Sequence, residues 1–239
     1  MRGTKADPAT LLCFPYAGAG AGFFRPWRGH DPEAVEVVPV QLPGREQRFT
    51  EPPYRDVHEA VDGLAGEVLD KLAGRSRVVV FGHSLGAILA YEMAHRLQDV
   101  GGPAVAHLVV SGSPGPGEVR EKRATGLPDE EFLARVLEFA GYSHPALEDP
   151  TMRELLLPCL RADVEMHENY RPPASRPPLR APITAVRGAD DGLVSRAELQ
   201  GWATATGAEF HVAEMPGGHM YLVDSVAEIL ALVGRLSHG

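Results

Sequence analysis

The sequence predicts an α/β chain built on a mostly parallel, doubly wound sheet. Three observations carry that prediction. Short apolar, β-rich runs alternate with longer helical ones along most of the chain. Several of those runs are apolar nearly throughout, as strands covered on both faces are. The stretches between them are long enough for the crossover helices that parallel neighbours require.

Six runs read as strands: residues 10–14 (TLLCF), 35–40 (VEVVPV), 77–81 (RVVVF), 105–111 (VAHLVVS), 183–187 (ITAVR) and 208–214 (AEFHVAE). Between the second and third, Val57, Ala60, Val61, Leu64, Ala65, Val68, Leu69 and Leu72 recur at three- and four-residue steps. They form one apolar stripe, the mark of an amphipathic helix packed on a sheet. Residues 85–97 and 223–236 read as helices too.

The alternation lapses between about residues 114 and 181. Two helical segments, 129–140 and 150–168, stand there without a strand between them. The stretch closes on residues 171–182 (RPPASRPPLRAP), where five of twelve residues are proline and no helix can continue. We read 114–181 as a helical lid inserted into a single domain spanning residues 1–239, set over the carboxyl ends of the strands. Covering helices with no mobile role are the plainer alternative.

Composition narrows the function. Hydrophobic residues make up 44% and charged residues 23% of the 239, an ordinary globular balance. A net charge of −9, with lysine at three positions and no basic stripe, argues against nucleic acid or anionic membrane as partners. No run approaches 18 uninterrupted apolar residues, and residues 1–9 lack the apolar core of a signal peptide, so a cytoplasmic protein is expected. Cys13 and Cys159 fit no close-spaced metal or redox motif, and no H-E-x-x-H spacing exists. No metal or organic cofactor is implied.

Gly82-His83-Ser84-Leu85-Gly86 is a G-x-S-x-G sequence. Chance alone supplies about 0.1 such matches in a chain of this composition, so the motif by itself is weak. Its setting makes it strong, because an apolar strand precedes it and a helical run follows, as a nucleophile elbow requires. A sharp strand-to-helix turn exposes the Ser84 hydroxyl at a helix N-terminus, where free N–H groups favour developing negative charge. The two glycines remove side chains that would collide with the neighbouring strand and helix.

A serine nucleophile needs a base, and the base an orienting carboxylate. Of ten histidines, His219 in the glycine-flanked loop Pro216–Met220 stands between the last strand and the last helix and can reach back over the sheet edge. His83 adjoins the nucleophile, but its side chain should point away from the hydroxyl. Asp190 and Asp191 both follow the fifth strand, and on an extended segment only one of two neighbours can reach His219. The chain order Ser, Asp, His is that of the α/β-hydrolase fold. That fold takes one oxyanion donor from the N–H after the nucleophile, here Leu85. The second comes from the loop after the first strand, here residues 14–20, with Ala17 the first choice and Tyr16 behind it.

Taken together, these stretches resemble the type II thioesterases that accompany polyketide synthases and non-ribosomal peptide synthetases. The resemblance rests on Leu12–Gly20 with Phe24–Trp27, on residues 40–48 (VQLPGREQR), and on Gly82–Gly86, Gly188–Val194 and Pro216–His219. It covers about residues 10–235. The family's acid falls three residues before Val194, which selects Asp191.

The resemblance implies hydrolysis of acyl thioesters from the phosphopantetheine arm of acyl or peptidyl carrier proteins through an acyl-Ser84 intermediate, most simply to edit short, aberrant acyl groups. Phosphopantetheine then belongs to the substrate rather than to this chain. Release of a finished medium-chain acid, or cleavage of small free esters, uses the same chemistry. A non-catalytic binding module has no evident need for all three triad residues. Carrier docking would need a local basic patch, such as residues 120–123 or 171–180, since bulk charge is acidic.

Overall fold

The computed structural model describes residues 8–30, 34–118, 122–140 and 145–237. Six strands, β1 (Ala9–Phe14), β2 (Val35–Pro39), β3 (Arg77–His83), β4 (Ala104–Ser111), β5 (Ile183–Gly188) and β6 (Phe210–Met215), form one sheet in the order β2-β1-β3-β4-β5-β6. Every neighbouring pair is parallel. This is the α/β-hydrolase arrangement that the sequence predicts.

Alternation along the strands splits the core into two layers. Leu12, Val80, Leu108 and Ala185 pack with helices α1 (Val57–Lys71) and α2 (Leu85–Asp99) on one face. Their neighbours Leu11, Cys13, Phe81 and Val109 pack on the other face, against Phe24, Trp27 and a further helix, Val226–Leu236. A sheet covered on both faces needs apolar side chains at consecutive positions, which is why these strands lack a polar face.

The chain runs from β1 outward to β2, then returns to place β3 on the other side of β1. The strand order therefore reverses between β1 and β3, and the carboxyl ends at such a switch point border a crevice. The loop after β1 and the turn after β3 both open there.

Between β4 and β5 lie helices α3 (Asp129–Ala140) and α4 (Pro150–Asn169). Asp149 caps α4 by accepting from the Met152 N–H, and Pro150 occupies its first turn, where a missing N–H does no harm. Short α5 (Arg196–Leu199) precedes β6, and α6 (Val226–Leu236) closes the described fold.

Several boundaries differ from the sequence reading. β3 runs two residues past Phe81, so strand geometry continues into the glycine-serine motif. β6 begins two residues later than expected. The last helix starts at Val226 instead of residue 223, because Tyr221–Val223 forms a separate 3₁₀ turn. The proline-rich run holds one isolated parallel bridge, Leu179 to Thr206, where no pairing was expected.

Candidate active site

Ser84 sits at φ 54°, ψ −117°, a backbone conformation that L residues avoid, between the end of β3 and the first residue of α2. Strain of this kind costs about 1–3 kcal/mol and persists only where the surroundings over-determine it. Here they do. The Ser84 N–H donates to the Ser111 carbonyl at 2.8 Å, tying the turn to β4. A Cβ at Gly82 would lie 1.9 Å from the Gly86 carbonyl oxygen, and one at Gly86 would lie 2.3 Å from that of Phe14. Both glycines are thus required by close backbone approach. Leu85 opens α2, so its N–H is one of the four that a helix leaves without an internal partner.

His219, in the loop after β6, engages Asp191 through Nδ1 at 2.9 Å to Oδ2. The other carboxylate oxygen of Asp191 accepts from the Leu193 and Val194 N–H groups at 2.8 and 3.2 Å. Burial works against the Asp191 charge, but the hydrogen bond and charge of His219, with the two backbone donors, outweigh it and hold the carboxyl below its ordinary range. Asp190, its neighbour, is exposed in the turn. The geometry of the turn thus separates two aspartates that local sequence could not.

Ala17, Ser84 and His219 line one cavity of about 510 Å³, together with apolar Leu133, Val136 and Leu160 of α3 and α4. Tyr16 lines it as well. Among the described residues no hydrogen bond joins the Ser84 hydroxyl to His219. In resting serine hydrolases this bond is commonly long and tightens only with substrate.

His83 is turned away from the cavity. It shares a hydrogen bond of 2.7 Å between Nδ1 and Ser111 Oγ, which lies 2.6 Å from the Tyr221 hydroxyl. Burial first, and nearby His219 second, hold its pKa well below that of an ordinary histidine, so it is neutral. Gly112, at φ 55°, lies beneath both rings: a Cβ there would meet His83 Cε1 at 2.5 Å and His219 Cε1 at 3.1 Å. Sequence reasoning missed this supporting layer, since Ser111 and Gly112 carry no motif.

Of the two candidate basic patches, residues 119–121 lie outside the described residues. Arg123 pairs with Glu168, and Arg171 donates to the carbonyls of Glu168 and Tyr170. Both line the cavity. Arg176 is instead committed to Glu92, a buried carboxylate that also accepts from the Tyr170 hydroxyl at 2.6 Å. Among the described residues no group of three or more His, Cys, Asp or Glu is placed to hold a metal ion, and no helix is long and apolar enough to cross a membrane.

A family model described as a thioesterase domain matches residues 9–236. The gramicidin S biosynthesis protein GrsT of Aneurinibacillus migulanus is 34% identical over 227 residues, covering 95% of this chain and 88% of its own. Among solved structures, the RedJ thioesterase from the prodiginine pathway of Streptomyces coelicolor superposes with a TM-score of 0.85 at 34% identity, covering 97% of this chain and 86% of that one. The type II thioesterase BorB from the borrelidin cluster gives 0.86 at 32% identity, over 96% and 93% of the two chains.

Proposed function

The chain belongs to the thioesterase family, and on that premise we propose that it hydrolyses acyl thioesters carried on the phosphopantetheine arm of carrier proteins, with Ser84 as nucleophile. One observation carries the reading: Ser84 and an Asp191-backed His219 line the same cavity, whose walls are largely apolar. An acyl chain fits the apolar part, and the thioester carbon falls beside the hydroxyl.

The chemistry runs in two steps. His219 Nε2 removes the Ser84 proton as Oγ attacks the thioester carbonyl, and the N–H groups of Leu85 and Ala17 hold the resulting oxyanion. Collapse expels the thiol, which takes that proton from the imidazolium, and leaves an acyl-Ser84 ester. His219 then activates a water, which adds to the ester. A second collapse returns the proton to Ser84 and releases the acid. Asp191 fixes the imidazole tautomer and offsets its transient charge. No cofactor enters either step.

The biological role we propose is editing: clearing short acyl groups that stall a polyketide or non-ribosomal peptide assembly line. The names of the relatives support that setting, since they come from gramicidin S, prodiginine and borrelidin biosynthesis. Cys13 and Cys159 are both buried and unbridged, which suits the cytoplasm. Arg123 and Arg171 line the cavity, and in this proposal they meet the phosphate of the arm.

Thiol release from carrier proteins loaded with acetyl to decanoyl groups, beside simple oxygen esters, tests the substrate class. Preferential turnover of short acyl-carrier thioesters supports editing. Preference for decanoyl moves the role to product release, and faster cleavage of oxygen esters removes the thioesterase assignment of substrate.

A further inference from the structure

Arg45, in the loop after β2, and Asp163, on α4, are 118 residues apart in sequence and form a two-pronged ion pair of 2.5 and 2.8 Å. Both are out of solvent, Asp163 completely. A buried pair of this kind is a poor device for stability, because desolvating two charges offsets most of their attraction. What distinguishes this one is a third partner. The same Asp163 oxygen accepts from the Gly18 N–H at 2.7 Å, while Arg45 Nη1 donates to the Ala19 carbonyl at 3.0 Å.

Those two bonds grip the loop that carries Ala17. The Ala19 N–H donates to the Tyr16 carbonyl at 3.0 Å and Gly18 stands at φ 81°, which makes Tyr16–Ala19 a type II turn with Gly18 third. A type II turn differs from type I by a flip of its central peptide, here the one joining Ala17 to Gly18. The N–H of that peptide is the group Asp163 holds. Leu160, one helical turn before Asp163, presses on the same spot, 3.1 Å from where a Gly18 Cβ would lie.

We infer that the Arg45–Asp163 pair is a positioning device for catalysis: by holding the Gly18 N–H and the Ala19 carbonyl it fixes the turn that carries Ala17, and so ties a competent oxyanion hole to the seating of α4. This rests on the proposed roles of Ser84 and Ala17. Arg45 and Asp163 touch no reacting atom. They act through Gly18. The Ala17 N–H belongs to the preceding 16–17 peptide, so its position follows that of the turn, and when Asp163 withdraws the turn loses its anchor at Gly18.

Replacing both partners separates this role from a structural one. Arg45→Met with Asp163→Leu fills the space with apolar side chains, an exchange that buried pairs often tolerate or gain from in stability. The double variant is expected to melt within a few degrees of the parent and keep KM within about threefold, while kcat falls about 10²-fold, as for loss of one oxyanion donor. A trifluoromethyl ketone analogue of the acyl group, which adds to Ser84 and places an oxyanion in the hole, should lose affinity by the same factor.

Asp163→Asn, of the same shape, is measured alongside in case the double variant does not fold. A kcat loss of at least about tenfold at unchanged KM supports the device. Wild-type kcat in either folded variant overturns it. Ser84→Ala run in parallel separates the two readings. If that variant is inactive and the pair variants are not, only this inference falls. If Ser84→Ala is active, the hydrolytic mechanism falls and takes this inference with it.

Discussion

His83 and His219 set their rings 4.8 Å apart at 49°, yet of the two only His219 faces the cavity. The inner ring is held by Ser111 and kept neutral by burial, so it backs the outer one without placing a second charge beside it. Gly112 supplies the space that both rings need. Gly112→Ala adds a Cβ against both imidazoles at a left-handed backbone position. It is expected to lower Tm by about 2–12 °C, from roughly 1–3 kcal/mol of strain. The kcat loss should exceed what lost folded protein explains, and active-site titration beside thermal melting checks this.

Asp191 and Asp190 are adjacent, but only Asp191 touches His219. Asp191→Asn keeps the shape and reverses the preferred tautomer, so kcat should fall about 10⁴-fold with little change in KM. Asp190→Asn should leave both constants near their parent values. Steady-state kinetics on an acyl-carrier thioester distinguish the two.

His107 reports on pH. Its Nε2 lies 2.8 Å from Thr184 Oγ1 within the sheet. Burial first, with nearby His211 second, pushes its pKa down from 6.5 to about 4. The unfolded chain therefore binds a proton between those values that the folded chain refuses. Folding stability falls as pH drops through this window, with a slope of up to about 1.4 kcal/mol per pH unit from this group. Urea unfolding of His107→Gln should show a shallower decline from pH 6.5 to 4 and a parallel course above pH 7. His83, depressed for the same reason, keeps the remaining slope from vanishing.

Arg171 is exposed, lines the cavity and pairs with backbone carbonyls rather than with a carboxylate. Arg171→Glu should raise KM for an acyl-carrier substrate about tenfold, the loss expected from one charge-assisted contact, and leave a small free thioester unaffected. Equal effects on both substrates would place Arg171 in the catalytic apparatus instead. Arg176→Glu should destabilise the fold, since it sets two carboxylates against each other around buried Glu92.

Much of this molecule could be read from the chain. The strands were legible because their apolar runs serve two covered faces, and Ser84 because a strand, two glycines and a helix surround it. His219 was legible from its place after the last strand. What could not be read is what the fold brings together from afar. Nothing local marks Asp163 as the partner of Arg45, and Ser111 becomes informative only when β4 sets it beside His83. The late start of α6 was hidden for another reason: Tyr221, Leu222 and Val223 continue an apolar pattern that suits a helix, while the loop around His219 turns them into a 3₁₀ turn first.

The central claim, that Ser84 attacks a carrier-bound thioester, is met most directly by mass spectrometry of the protein mixed rapidly with an acyl-loaded carrier protein. The account predicts a transient mass increase equal to the acyl group, located on the peptide containing Ser84, and absent with hydrolysis in Ser84→Ala. Hydrolysis at the parental rate by Ser84→Ala, or an acyl group captured elsewhere on the chain, would contradict it.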